Sequence, residues 1–476
     1  MDMLDKFILT LNDYLYSYVI IAIILVVGIF FTIRGRGMQF TLFPEMFRVL
    51  TDKATIEGKG KKGVSSFQAF TISAASRIGT GNIVGVATAI ALGGPGAVFW
   101  MWVMALIAAA SSFVESTLAQ LYKVRDGNDF RGGPAYYMER GLNKRWMGIA
   151  FAIAITLCYG FVFNAVQTNT IADSMGNSFG FDEVWIGIII VLLTAMVIFG
   201  GVQRIVKVTQ WLVPVMAIAY ILIAFVIIVL NFTELPSVFA LIFKEAFTFE
   251  AGTGGVVGAA IMQGFKRGLF SNEAGLGSAP NAAATANVSH PVKQGLIQTL
   301  GVFVDTMVVC TATAAIVLLS GVYGTVDAQN ERVDITQQSL VVQLGDWAGI
   351  FLTVALFMFA FSSVIGNYYY GETNLEFIKK SKTMMLCYRL LVLAFVMFGA
   401  LAKVSLVWNL ADLFMAFMAL INLVAIFMLN KTAFRLLKDY RAQRKQGKDP
   451  VFYADTMPDL KNVECWDRED HPEKAR

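Results

Sequence analysis

The sequence predicts an all-α protein that crosses a membrane many times. Three observations predict it: an apolar composition, eleven apolar stretches, and a lopsided placement of lysine and arginine. Of 476 residues, 57% are hydrophobic and only 15% are charged. Mean hydropathy is +0.62. A soluble domain carries about a quarter charged residues. The numbers exclude a disordered chain, a collagen and an ordinary cytosolic enzyme. The 41 glycines and 38 phenylalanines suit packed helices in lipid, where glycine is tolerated. A net charge of +4 gives no concentrated basic face, which argues against a nucleic-acid partner. Cys158, Cys310, Cys387 and Cys465 form no CxxC pair, and His290 and His471 are the only histidines. Neither a disulfide framework nor a zinc site is expected, and no organic cofactor.

A membrane-spanning helix needs roughly 20 mostly apolar residues. Candidates lie near 15–33, 67–92, 96–121, 146–168, 184–202, 211–231, 254–286, 295–320, 346–370, 384–403 and 405–429. The first is read as a retained span rather than a signal peptide, because its basic residues follow it. Lysine and arginine set the orientation. With the N-terminus outside, the inner segments hold 31 of the 38 basic residues and the outer ones hold 4. Without the tail the split is still 20 to 4. The expected topology is N-out and C-in, with an odd number of spans. The tail from 431 to 476 reads as a solvated cytoplasmic extension.

The second and seventh spans are unusual. One reads Ser73-Ala-Ala-Ser-Arg-Ile-Gly-Thr-Gly-Asn-Ile-Val-Gly85. The other reads Gly264-Phe-Lys-Arg-Gly-Leu-Phe-Ser-Asn-Glu-Ala-Gly-Leu-Gly-Ser278. Each glycine costs a helix about 1 kcal/mol, so the clusters predict breaks, centred near residues 79 and 269. Broken backbone in lipid is tolerated only inside protein or against a cavity. The positive N-terminal ends of half-helices suit a carboxylate, and freed carbonyls suit an ammonium group or Na⁺. Each broken span opens a set of five, 67–231 and 254–429. Five is odd, so the two sets run oppositely through the membrane. The predicted units are a first helix (1–34), a five-span unit (66–231), its inverted repeat (250–430) and the tail. Paired interrupted helices point to a secondary transporter.

These residues also carry a resemblance. The run Gly93-Gly-Pro-Gly-Ala-Val-Phe-Trp-Met-Trp-Val-Met-Ala-Leu-Ile107 resembles the signature of the alanine or glycine:cation symporters, the sodium:alanine symporter family. The family pattern ends in glycine where this chain has Ala108. The stretches RGGPAYYMERG (131–141) and LFSNEAGLGSAPNAAA (269–284) resemble it too, and the likeness covers nearly the whole chain. It implies a leucine-transporter-like fold preceded by one extra helix, and Na⁺- or H⁺-coupled uptake of alanine or glycine.

The resemblance also implies site roles. Thr80 and Gly81 would offer N–H groups to the substrate carboxylate. The carbonyls of Ala75 and Ile78, with Ser362 and Ser363 from the ninth span, would hold one Na⁺. Asn82 would hold a second, unless it serves as a cap. Carbonyls between Gly264 and Gly268 would receive the substrate ammonium. Gln167 donates to the carboxylate or bonds another helix. Phe163 and Phe361 limit the pocket or simply pack. Glu273 binds a cation, or pairs with Arg77, Lys266 or Arg267 as an internal gate. Glu115, Asp305 and Asp412 are further intramembrane acids without assignable partners. The sixth span carries no lysine in its apolar stretch, which favours Na⁺ over H⁺.

Other classes fit less well. No HExxH, GxSxG or histidine cluster supports an enzyme. Gly58-Lys-Gly-Lys-Lys-Gly63 lacks the Gly-Lys-Ser/Thr ending of a phosphate loop. No filter-like repeat suggests a channel.

Overall fold

The computed structural model describes residues 3–52, 64–127, 129–200, 202–247, 258–326 and 332–468. The stretch Gly58 to Gly63, residues 250–257 at the start of the second five-span unit, and His471 lie outside them. Among the described residues, eight helices are long and apolar enough to cross a membrane. They are α1 (Lys6–Arg34), α5 (Gly96–Leu121), α7 (Arg145–Phe179), α9 (Lys207–Leu230), α13 (Pro291–Ser320), α15 (Asp346–Ile378), α16 (Lys382–Leu401) and α17 (Val404–Lys445). Between α1 and α5 come the short helix α2 (Phe43–Leu50) and the two halves of the second span, α3 (Ser66–Arg77) and α4 (Gly81–Gly93). A two-stranded hairpin, β1 (Val124–Asp126) and β2 (Asp129–Arg131), leads into α6 (Pro134–Arg140). The shorter apolar helix α8 (Glu183–Ile198) follows α7, and α10 (Leu235–Ala246) follows α9. The seventh span is α11 (Ala259–Asn272) and α12 (Ala279–Ala283), and α14 (Arg332–Leu344) precedes α15. The fifth, second and seventh apolar stretches therefore enter as short or broken helices, not as single long ones.

Local signals set several boundaries. Ser65 and Gln68 form a reciprocal cap at the start of α3, which satisfies two otherwise orphaned donors. Ser381 caps α16 through Met384 N–H, and His290 caps α13 ahead of Pro291. The Trp-Met-Trp run has a packing role. Trp100 donates its indole N–H to Ala246 O (2.8 Å), and Trp102 donates to Thr311 Oγ1 (2.9 Å). Those bonds fasten α5 to α10 and α13.

The tail departs from expectation. Helix α17 runs on to Lys445, and residues 450–468 fold back onto the bundle instead of extending into solvent. Phe452 and Trp466 are fully buried and Cys465 nearly so. Their apolar side chains in an otherwise charged segment explain the folding back, since each removes apolar surface from water.

Candidate functional site

The second span breaks where the glycine cluster predicts. Helix α3 stops at Arg77, and Ile78 leaves helical geometry with φ −79° and ψ 89°. Ile78 N–H still closes on Ala74 O (2.8 Å). The next amide, Gly79 N–H, would close on Ala75 O but instead donates to Asn82 Oδ1 (3.0 Å). Ala75 O is thus an orphaned helix-end carbonyl. Ser363 Oγ reaches it at 2.9 Å and Ser362 Oγ at 3.5 Å. Both hydroxyls also lie within reach of Phe359 O, at 2.8 Å for Ser362 and 3.1 Å for Ser363. A hydroxyl has one proton, so each donates to one carbonyl and keeps lone pairs free. Ala75, Ile78, Ser362 and Ser363 are all buried.

One turn later, Thr80 N–H donates to Gln167 Oε1 (3.3 Å), so Gln167 meets the break as an acceptor rather than a donor. Gly81 opens α4, packed against Phe270 and Ser271 of α11. Asn82 also donates through Nδ2 to Asp305 Oδ1 (2.6 Å). The other oxygen of Asp305 accepts from Ser271 Oγ (2.7 Å) and Thr306 Oγ1 (3.0 Å). Asp305 therefore sits between α4, α11 and α13 with uncharged donors on both oxygens.

The seventh span breaks later than expected. Helix α11 is regular through Asn272, and the unwound segment is 273–278. Glu273, Gly275 and Gly277 adopt positive φ of 57°, 86° and 82°. Gly264 and Gly268 consequently lie inside a helix, not on freed backbone. A Cβ on Gly264 would sit 2.6 Å from both Ala97 O and Trp100 Cβ, and one on Gly268 would sit 3.5 Å from Met101 Cα. They let α11 approach α5, the small-residue pattern of close helix contacts. Their carbonyls point along a continuous helix and are not available for an ammonium group.

Glu273 joins the two breaks. Its Oε1 accepts from Ser76 Oγ (2.9 Å) and its Oε2 from Ser278 Oγ (2.6 Å). Among the described residues it forms no ion pair, so the expected pairing with Arg77, Lys266 or Arg267 is not made. Arg77 instead donates to Gln298 O (3.1 Å) on α13. Lys266 and Arg267 both pair with Asp412, at 2.8 Å and 2.6 Å. Glu115 of α5 braces the unwound segment: Gly275 N–H donates to Oε1 (3.2 Å) and Gly277 N–H to Oε2 (3.1 Å). Asn422 Nδ2 adds a third donor at 2.7 Å.

An aromatic column closes over the region. Phe163 packs against Tyr159 and Phe270 with centroids 4.6 Å and 4.7 Å apart, and Phe270 stacks on Trp408 at 4.9 Å. Phe361 does not join this column; its ring stacks on Phe357, one turn earlier. The acids Glu115, Asp305 and Asp412 were recognisable as costly charges in apolar spans, but Glu115 and Asp412 find their partners on other spans, and Asp305 takes Asn82 of the second span besides Ser271 and its own neighbour Thr306.

A model of the sodium:alanine symporter family matches residues 1–454. This chain belongs to that family. The amino-acid carrier protein AlsT of Bacillus subtilis is 57% identical to it, over 96% of this chain and 97% of AlsT. The probable sodium/glutamine symporter GlnT of the same bacterium is 55% identical, over 96% and 94%. The sodium/alanine symporter AgcS of Methanococcus maripaludis is 39% identical, over 92% and 97%. Among solved structures, the Eremococcus coleocola manganese transporter matches with a TM-score of 0.57 at 14% identity, over 80% of this chain and 83% of that one. That likeness concerns the fold alone. As a member of the sodium:alanine symporter family, the protein is a multi-pass membrane transporter for amino acids and not an enzyme.

Proposed function

We propose that the protein carries alanine and glycine into the cell together with Na⁺. The observation that carries this reading is the meeting of Ser363 and Ser362 with the orphaned carbonyl of Ala75. Hard monovalent cations prefer such oxygen donors over nitrogen or sulfur. Na⁺ held by Ala75 O, Ile78 O and the two hydroxyls would tie α3 to α15. The substrate carboxylate would take the N–H groups of Thr80 and Gly81, displacing Gln167 Oε1 from Thr80. A carboxylate is the stronger acceptor, because charge-assisted hydrogen bonds are roughly twice as strong as neutral ones. A second Na⁺ would lie by Asn82, with Asp305 supplying its negative charge. Cation and carboxylate then occupy one broken segment. Each favours the other's binding by the same factor, and a carrier that reorients only with both or neither bound then moves the two together, which is symport.

The units of transport in this reading are the five-span sets 66–231 and 250–430 behind the first helix, eleven spans in all. The N-terminus lies outside and the tail in the cytoplasm of a bacterial inner membrane, as the basic residues favour.

A second reading, proton coupling, is favoured by Asp305 and Glu273, which are buried with only uncharged donors on their oxygens. The name of GlnT makes glutamine a further substrate to test. The experiment is uptake of labelled alanine into proteoliposomes. Uptake that requires an inward Na⁺ gradient and is competed by glycine supports the proposal. Equal accumulation under a proton gradient in Na⁺-free buffer replaces it with the second reading.

A further inference from the structure

The returning tail grips the end of the bundle where the two short half-helices meet. At that end Val64, just ahead of the Ser65 cap of α3, pairs with Ala286, and Asn287 N–H donates to Val64 O (2.9 Å). This contact is a seam between the start of one broken helix and the turn that follows the other. Two side chains of the α5 end hold the turn in place. Gln120 Nε2 and Lys123 Nζ each donate to Ala286 O at 2.9 Å.

The tail binds these same holders. Buried Trp466 donates its indole N–H to Gln120 O (3.2 Å), and the Lys123 ammonium lies 4.9 Å from the centre of the Trp466 ring. Farther along the turn, Phe452 N–H donates to Ser289 O and Ser289 Oγ donates to Pro450 O, both at 2.8 Å. Lys293 at the start of α13 pairs with Asp449 (2.8 Å). The tail leaves α17 through an exposed corner at Gly447, whose φ is 74°. The strap is thus anchored at one end on Ser289 and Lys293 and at the other on Gln120 and Lys123, and is joined to the core through a corner that glycine permits.

A transporter with a central site must part its seams at each end in turn. Parting Val64 from Ala286 requires the 283–289 turn to move against its holders. We infer that residues 449–466 are a latch on this seam. Attached, they fix Gln120, Lys123 and Ser289 so that the turn docks Val64; lifted, they let that end open. The inference rests on the transport reading for its opening step, but not on which amino acid or cation is carried.

Cys465 is a built-in reporter, because its thiol is buried against Lys123 O (3.4 Å) while the latch is down. The experiment measures the rate of maleimide addition to Cys465 in otherwise wild-type protein, read from the mass of its peptide. Three conditions are compared: Na⁺-free buffer, Na⁺ alone, and Na⁺ with alanine during turnover. The expected result is a rate that differs about tenfold or more between conditions, as a shift between two populated states would give. Trp466→Ala is expected to bring Cys465 to the fast rate in all three and to speed exchange of labelled alanine. Should that variant fail to fold, Asp449→Asn with Glu464→Gln, which removes the carboxylate paired with Arg140 (2.8 Å), weakens the latch from its surface and carries the same expectation. A Cys465 rate that is the same in all three conditions overturns the latch. Condition-dependent labelling in protein that takes up neither alanine nor glycine keeps the latch and removes the substrate.

Discussion

The two helix breaks have similar composition but different neighbours. At 78–80 the freed groups meet partners that can be exchanged: Gly79 N–H and Thr80 N–H rest on neutral amide oxygens, and Ala75 O rests on hydroxyls. At 273–278 the N–H groups of Gly275 and Gly277 are fixed by the carboxylate of Glu115, and Glu273 bonds Ser76 and Ser278. A neutral acceptor yields to a charged ligand, whereas a buried carboxylate with three donors does not. The first break is therefore built to receive, and the second is built to hold its shape.

Five substitutions test that contrast. The largest effect is expected at the brace. Glu115→Ala leaves Gly275 and Gly277 with buried N–H groups and no acceptor, which costs about 1–3 kcal/mol each. Purified protein should melt at lower temperature and transport should be lost; unchanged melting would show that the second break does not need its brace. Next comes the receiving break. Ser363→Ala should raise the Na⁺ concentration for half-maximal uptake about tenfold, or about 1.4 kcal/mol, while melting in Na⁺-free buffer falls less than in Glu115→Ala, because Ser362 Oγ still reaches Ala75 O. Ser362→Ala should do less, since its hydroxyl lies 3.5 Å rather than 2.9 Å from Ala75 O. Equal Na⁺ dependence in wild type and Ser363→Ala would move the cation elsewhere. The helix contact separates two glycines, and the smallest effect of all is expected at Gly268. Gly264→Ala overpacks against α5 at about 1–3 kcal/mol. Gly268→Ala meets ordinary contact distances and should stay within about 0.5 kcal/mol of wild type. A loss of substrate affinity in Gly268→Ala, with stability kept, would return that glycine to the substrate site.

The contrast also explains what the sequence could reveal. Hydropathy found the long helices because lipid imposes a length and a composition on each span. The break at Gly79 was legible because three breaking features coincide there: two glycines, and an Asn whose side chain diverts the amide of Gly79. The later break was misplaced toward Gly264 and Gly268, because small residues serve both helix breaks and close helix contacts. Only a neighbour such as Trp100 distinguishes the two uses. The partners of Glu115, Asp305 and Asp412 were illegible for a related reason. Apart from the bond of Asp305 to its neighbour Thr306, each joins different elements, and no local pattern encodes it. The tail was read by its charge, and its few rings decided its placement.

One feature of the helices bears on how the receiving break could have arisen and how it can be altered. Three stretches near it, Gly81–Gly85, Thr156–Phe163 and Val304–Cys310, are wound as π-helix. Such a turn accommodates one residue more than an α-turn and is frequent at functional sites. It behaves as an absorbed insertion: everything beyond it is rotated relative to a plain helix by about 100°, the angle one residue occupies. Tyr159 and Phe163 lie within the middle stretch and Gln167 lies beyond it. Deleting one residue from that stretch would tighten the helix to ordinary pitch and swing Gln167 away from Thr80 without changing any side chain of the site. The local chain length, as much as residue identity, is part of the site's specification.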